Sequence, residues 1–192
     1  MFEKMRIIAG KAKGRKLAAP RGRHTRPTAD RVKEAIFSVI APIISGSRVL
    51  DPFAGSGALG LEALSRGALE AVMIENHWPA FKVLQQNLQH SALPGGLIYR
   101  GDCRKIISAQ KGYFDLIFLD PPYNRGYLLQ VLKLLLAGDL LAEAAMLIIE
   151  TAAKEPEDFL LPGIHVDKGN FYGETAVYFC RSQKLEVRSQ NL

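Results

Sequence analysis

Four carboxylates stand where short apolar runs stop: Asp51, Glu75, Asp102 and Asp120. The first run, Val49-Leu50-Asp51, continues through Pro52-Phe53-Ala54 into Gly55-Ser56-Gly57-Ala58-Leu59-Gly60. Gly55 and Gly57 carry no Cβ, so the backbone can turn sharply there and approach a ligand closely. The helix expected from Ala58 to Leu64 would aim unpaired N–H groups and a positive dipole end at that ligand. Gly55-x-Gly57-x-x-Gly60 is also a dinucleotide fingerprint, so this stretch alone leaves a nicotinamide-dependent oxidoreductase open.

The other acids narrow the choice. An acid ending the second strand lies beside the glycine loop, where a ribose diol can donate to it, and Glu75 has that place under either reading. Asp102, after the third strand, can accept from the exocyclic amine of adenine, which a dehydrogenase fingerprint does not call for. Asp51, four residues before Gly55, is within reach of an amino group. Adenine, ribose diol and a cationic amino-acid tail together describe S-adenosylmethionine, which has no pyrophosphate. Any one of these acids could instead cap a helix or face solvent in a loop. Four at consecutive strand ends are more than a solvated surface is expected to supply.

Asp120-Pro121-Pro122-Tyr123 is the most specific signal. Two prolines end a buried strand abruptly and fix the backbone beyond it. The Asp120 carboxylate and the Pro121 carbonyl are then two held acceptors. A planar exocyclic amine is a poor nucleophile because its lone pair is delocalised into the ring. Acceptors on both its hydrogens favour pyramidalisation and place negative potential where positive charge develops during methyl transfer. A sulfonium donor is reactive enough for positioning and this electrostatic help to suffice, without a catalytic His or Cys. Tyr123 would stack on the base, worth roughly 1–3 kcal/mol.

These residues need elements to position them. Asp30 to Ile40 reads as a helix, with Thr28 or Asp30 as its cap, a stripe of Val32, Ile36, Val39 and Ile40, and Pro42 and Gly46 ending it. Beyond the glycine loop, strands 71–75, 97–100, 115–119 and 145–150 alternate with helices 78–90 and 128–136. Nearly continuous apolar strands alternating with helices give a parallel sheet covered on both faces. Ile164 to Asn170 and Thr175 to Arg181 alternate in polarity around Tyr172-Gly173-Glu174, which reads as an antiparallel hairpin on the sheet edge. With 192 residues, 48% hydrophobic, the chain suffices for one domain with a small appendage.

Charge locates the appendage. Nine of the 25 basic residues fall between Lys4 and Arg26 without an acid among them, leaving 16 to face 19 acids elsewhere. Residues 1–28 are accordingly expected to form a basic extension and 29–192 the main domain. Met5 to Ile8 and Lys16 to Ala18 could pair as short strands around Gly10 to Gly14. Arg6, Lys11, Lys13, Arg15, Lys16, Arg21, Arg23 and Arg26 would then contact phosphates of a nucleic acid without reading its bases. A solvated basic tail is the alternative. Cys103 and Cys180 are too few for a disulfide framework and lack zinc-ligand spacing, so no metal is expected. No apolar run reaches the roughly 18 residues of a membrane span, and no apolar segment follows the first basic residues. A cytoplasmic protein with no membrane partner is expected, and nothing in the sequence demands more than a monomer.

The tetrad Asp120-Pro121-Pro122-Tyr123, with Asp51-Pro52-Phe53-Ala54-Gly55-Ser56-Gly57, resembles the amino-group methyltransferases of nucleic acids. Met5-Arg6-Ile7-Ile8-Ala9-Gly10, Arg26-Pro27-Thr28 and Asp30-Arg31-Val32-Lys33-Glu34-Ala35-Ile36-Phe37 sharpen this to a resemblance to the RsmD family. Its members are bacterial enzymes that methylate guanine N2 in small-subunit ribosomal RNA. The resemblance implies a Rossmann-like methyltransferase fold, a mostly parallel seven-stranded α/β sheet with an antiparallel C-terminal hairpin. It also implies S-adenosylmethionine as donor and an assembled or assembling small ribosomal subunit as substrate. Carried onto this sequence, the cofactor set is Asp51, Phe53, Ala54, Gly55, Ser56, Gly57, Glu75, Asn76, Asp102, Cys103 and Asp120. The catalytic set is Asp120, Pro121, Pro122 and Tyr123. An adenine-N6 methyltransferase acting on RNA or DNA could use the same tetrad, although a DNA enzyme normally needs a recognition domain for which this chain has no room.

Overall fold

A strand that is apolar on both faces must be covered on both. The computed structural model, which describes residues 5–19, 28–122, 125–154 and 159–183, has that construction. In chain order the elements are α1 Thr28–Val39, α2 Ala41–Ile44, β1 Arg48–Asp51, α3 Ala58–Ser65, β2 Glu70–Glu75, α4 Trp78–Ser91 and β3 Gly96–Arg100. Then come α5 Cys103–Ser108, β4 Phe114–Leu119, α6 Tyr127–Ala137, β5 Leu141–Ala152, β6 Ile164–Tyr172 and β7 Thr175–Ser182. The seven strands lie in the order β3-β2-β1-β4-β5-β7-β6. They run parallel from β3 to β5, and β7 is antiparallel to both β5 and β6. This is the Rossmann-like methyltransferase sheet with its reversed C-terminal hairpin, as the sequence implied.

Alternation along β2 shows the two layers. Ala71 and Met73 join Ile36, Phe37, Leu61, Leu64 and Leu84 on one face. Val72 and Ile74 join Ile107, Leu128, Val131, Leu132 and Leu135 on the other. Helices α1, α3 and α4 therefore cover one side, and α5 and α6 the other. Each fully buried Leu, Ile or Phe contributes roughly 1.5–3 kcal/mol to holding the layers together.

Three local features differ from the sequence reading. Pro42 does more than end α1: it stands in the first turn of the short helix α2, where its missing N–H costs nothing. Helix α5 was not foreseen, because its six residues are too few to show a helical period. Strand β5 begins at Leu141, four residues early, because its first part is displaced by a register shift opposite Phe114 to Leu116 and a left-handed Ala144 (φ 54°). The side chains of Thr28 and Asp30, expected to cap α1, lie outside the described set.

The N-terminal segment makes one antiparallel bridge, Arg6 with Lys16, rather than two strands. Ile7 N–H donates to the Arg15 carbonyl (2.9 Å) and Leu17 N–H to the Met5 carbonyl (2.8 Å). Ile7, Ala12 and Leu17 are buried in the same core as α1 and α3, while Arg6, Lys11, Lys13, Arg15 and Lys16 stay exposed. The segment is fastened by Glu62, a fully buried carboxylate on α3. Its Oε2 accepts from Ile8 N–H (2.7 Å) and its Oε1 from Ala9 N–H (2.9 Å). Arg66 Nε (2.8 Å) and Lys33 Nζ (3.5 Å) neutralise it. Lys33 Nζ also donates to the Arg6 carbonyl (2.6 Å).

Gly10 shows how closely the segment lies on α3. Its φ is +82°, and a Cβ there would fall 1.8 Å from the Ser65 carbonyl oxygen. Gly14 has the same φ with nothing within 4 Å of a Cβ. Gly14→Ala should therefore cost only the left-handed backbone strain, about 1–2 kcal/mol. Gly10→Ala must in addition lift the segment off α3 and should cost clearly more, as compared by urea unfolding of the two variants. Equal losses would mean that the segment is not seated on Ser65.

Candidate active site

In a parallel sheet, a cleft opens where neighbouring strands send their helices to opposite faces. Here β1 and β4 are neighbours, and α3 and α6 leave them on opposite sides. A cleft of about 810 Å³ lies at their carboxyl ends. Of the residues expected to act, it is lined by Phe53, Glu75, Asn76, Asp102, Cys103, Asp120, Pro121 and Pro122. Asp51, Ala54, Gly55, Ser56 and Gly57 do not line it, and Tyr123 lies outside the described residues.

Glu75 holds the glycine loop against β2. Its Oε2 accepts from Gly55 N–H (2.9 Å) and its Oε1 from His77 N–H (2.6 Å), while Ala54 N–H reaches the Ile74 carbonyl (2.9 Å). Gly57 has φ +82°, and a Cβ there would meet Leu84 Cδ1 at 2.4 Å. Its missing side chain thus makes room for α4. Asp51 sits beneath the loop, 3% exposed, accepting from the backbone N–H groups of Phe53 and Gly60. Burial is the main influence on it and pushes its pKa up to about 7, with the nearby Glu75 charge adding to the rise.

Asp102 has the opposite fate. It caps α5 by accepting from Arg104 N–H (3.0 Å), and the Arg104 guanidinium grips both its oxygens. That side-chain hydrogen bonding holds its pKa down at about 2. Arg104 in turn reaches Gln130 Oε1 (2.8 Å) and lies over the Tyr127 ring, 5.1 Å from its centroid. Phe53 meets Tyr127 edge-on, with centroids 6.3 Å apart. Cys103 is buried, and burial together with the Asp102 charge raises its thiol pKa to about 11, so it packs and does not react.

The lining also includes Pro52, Ile74, His77, Trp78, Gly101, Arg125, Tyr127 and Glu150, none expected from the sequence. Glu150 carried the signal used for the other acids, because it closes the fifth apolar run. Trp78 carried none. It is 45% exposed, stacks on Phe81 (6.0 Å, 17°) and has Arg100 over its ring at 4.9 Å. Among the described lining residues, Glu75, Asp102, Asp120 and Glu150 stand against Arg125. Such a balance suits a ligand of net positive charge better than a pyrophosphate.

The described basic residues of the N-terminal segment lie away from the cleft lining. Arg15 is already engaged: its guanidinium donates to the carbonyls of His90 (3.0 Å) and Ser91, closing the end of α4. Arg21, Arg23 and Arg26 lie outside the described residues.

The sequence matches the model of the family described as conserved hypothetical protein 95 over residues 5–181. Ribosomal RNA small subunit methyltransferase D of Escherichia coli is 40% identical over 148 residues, 77% of this chain and 74% of that protein. The chain belongs to the RsmD family. The Haemophilus influenzae protein of the same name is 38% identical over 156 residues, covering 79% of this chain and 81% of its own length. The solved structure of E. coli yhhF superposes with a TM-score of 0.86 at 32% identity, covering 95% of this chain and all of that one. The RsmD-family match spans the N-terminal segment, the glycine loop and the Asp120-Pro121-Pro122 turn alike.

Asp51 provides a pH test. Its folded pKa of about 7 lies above the ordinary 3.8, so the folded protein holds a proton that the unfolded chain releases. Its charge therefore costs stability progressively as pH rises from about 4 to about 7, by up to roughly 1.4 kcal/mol per pH unit, and no further above that. The stability of Asp51→Asn relative to the parent should rise across this window and level off, as read by urea unfolding at several pH values. A constant difference would mean that Asp51 titrates alike in the folded and unfolded chain.

Proposed function

We propose that this RsmD-family protein transfers a methyl group from S-adenosylmethionine to the exocyclic N2 amine of a guanine in small-subunit ribosomal RNA. The observation that carries the reading is the opening of the Asp120-Pro121-Pro122 turn onto the same acid-lined cleft as Glu75 and Asp102. The acid-rich lining fits a donor that bears a sulfonium and an ammonium against one carboxylate. Glu75 would hold its ribose, Asp102 its adenine amine, and Phe53 and Asn76 the walls between them. Bound there, S-adenosylmethionine supplies an electrophilic methyl group on a positively charged sulfur.

The protein's own part is to present the nucleophile. Asp120 and the Pro121 carbonyl accept the two hydrogens of the target amine, and Pro122 keeps the backbone from relaxing away. No stronger base is needed, because the amine's proton becomes acidic only once the new C–N bond has formed. Stacking of the base on Tyr123 completes the proposed site. The exposed Lys11, Lys13 and Lys16 supply phosphate contacts, and the RNA presented by an assembling small subunit is the proposed substrate. The protein would act as a monomer in the cytoplasm. No helix among the described residues is long and apolar enough to cross a membrane.

Incubating small-subunit particles that lack the modification with the protein and S-adenosylmethionine should produce N2-methylguanosine, read by nucleoside mass spectrometry. Methyl groups on adenine, or none, would overturn the assignment. Asp120→Ala should lower kcat by roughly 10²–10³, the loss of one preorganised electrostatic partner, with S-adenosylhomocysteine and RNA affinities changing little by comparison. Turnover close to the parent's would remove Asp120 from the chemistry. Reversing Lys11, Lys13 and Lys16 to Glu should weaken RNA binding and flatten its dependence on salt while leaving cofactor affinity alone. Arg15 is left out of that variant because its guanidinium holds α4.

A further inference from the structure

One buried amide joins the two parts that the proposed function treats separately, the N-terminal segment and the glycine loop. Asn87, on the inner face of α4, is 3% exposed. Its Oδ1 accepts from Ala18 N–H (2.8 Å), and its Nδ2 donates to the Ala18 carbonyl (3.0 Å) and to the Ser56 carbonyl (2.9 Å). A second thread runs beside it: Ser56 Oγ meets Met5 Sδ at 3.4 Å. Glu75 and the Ile74 carbonyl hold the loop from the β2 side, and Asn87 holds it from α4, where Gly57 (φ +82°) packs so closely that a Cβ would fall 2.4 Å from Leu84 Cδ1. A primary amide is the one side chain of this size that offers an acceptor to an N–H and two donors to two carbonyls at once.

We propose that Asn87 is a positioning residue, tying the N-terminal segment to the glycine loop so that the loop holds its cofactor-binding shape only while the segment is docked. The inference rests on the reading that S-adenosylmethionine occupies the cleft beside this loop. Its consequence is that cofactor affinity depends on a contact outside the cleft, since Asn87 is not among the lining residues.

Asn87→Asp keeps the size and the acceptor but sets an oxygen against the two carbonyls. Asn87→Ala removes the tie altogether. For both, KM for S-adenosylmethionine should rise roughly tenfold or more with kcat little changed, because the acceptors at the end of β4 are untouched. Leu135→Ala, in the opposite layer, serves as a destabilised control whose KM should stay at the parent value. An unchanged KM in the Asn87 variants, or an equal rise in the control, would reduce Asn87 to a structural tie. A measurement on the unaltered protein guards against variants that fail to fold: adding S-adenosylhomocysteine should slow hydrogen exchange at the Ala18 amide as well as at Gly55. Protection at Gly55 alone would overturn the coupling. Failure of the parent protein to bind S-adenosylhomocysteine at all would count against the cofactor assignment itself, a distinguishable result.

Discussion

A fully buried carboxylate is tolerable only when its charge is matched and its lone pairs are used, and Glu62 organises this molecule by meeting that condition. Its four partners come from three places: the backbone of Ile8 and Ala9, Lys33 on α1, and Arg66 at the end of its own helix. The apolar contacts of Ile7, Ala12 and Leu17 bring the same elements together, and Glu62 fixes how they meet. Removing the carboxylate would leave two cations and two N–H groups facing an apolar core; removing the partners would strand the charge. The docking of the N-terminal segment and the placing of α1 are thereby made one event, on the helix that begins at the glycine loop.

The cleft shows the same acid chemistry turned to different ends by surroundings alone. Asp51 lies under the loop in a dry environment and is held near neutrality by burial. Asp102, at the open end of α5, is kept fully ionised by Arg104. Glu75 stands between them with its oxygens committed to the backbone of the loop and of the turn into α4. Acids at successive strand ends are thus partly scaffold. They shape the loop first, and offer to a ligand what lone pairs remain.

Much of this was legible in the sequence, for physical reasons. The alternation of apolar strands and helices imposes the two-layered sheet, and an acid or proline at the end of a buried run marks its carboxyl edge. Hence Glu75, Asp102 and Asp120 could be brought to one cleft before any coordinates were seen. What escaped notice depends on distant partners. Glu62 looks like any acid on a helix, since nothing nearby in sequence names Lys33 and the Ile8 and Ala9 amides as its partners. Arg15 counts as a phosphate ligand in the sequence, and nothing near it shows that its guanidinium also donates to the carbonyls at the end of α4. Gly57 suggested an approach to ligand, and nothing near it in sequence says that its absent side chain also makes room for Leu84. Trp78 reaches the cleft rim only because α4 starts there, and a single aromatic residue has no period to betray it.

The place of β7 has a bearing on how the chain matures. β7, the last strand among the described residues, is not an edge strand; it is inserted between β5 and β6, pairing with β5 from Met146 to Ala152. A nascent chain that has emerged only as far as β6 would expose one whole side of β5, including the backbone groups of Met146 to Ala152, beside an apolar face already built around α6. An open strand edge of that kind is where unfinished proteins pair with the wrong neighbour. The step that seals the sheet therefore waits for β7, and a chain that has not yet made it keeps β5 open along Met146 to Ala152.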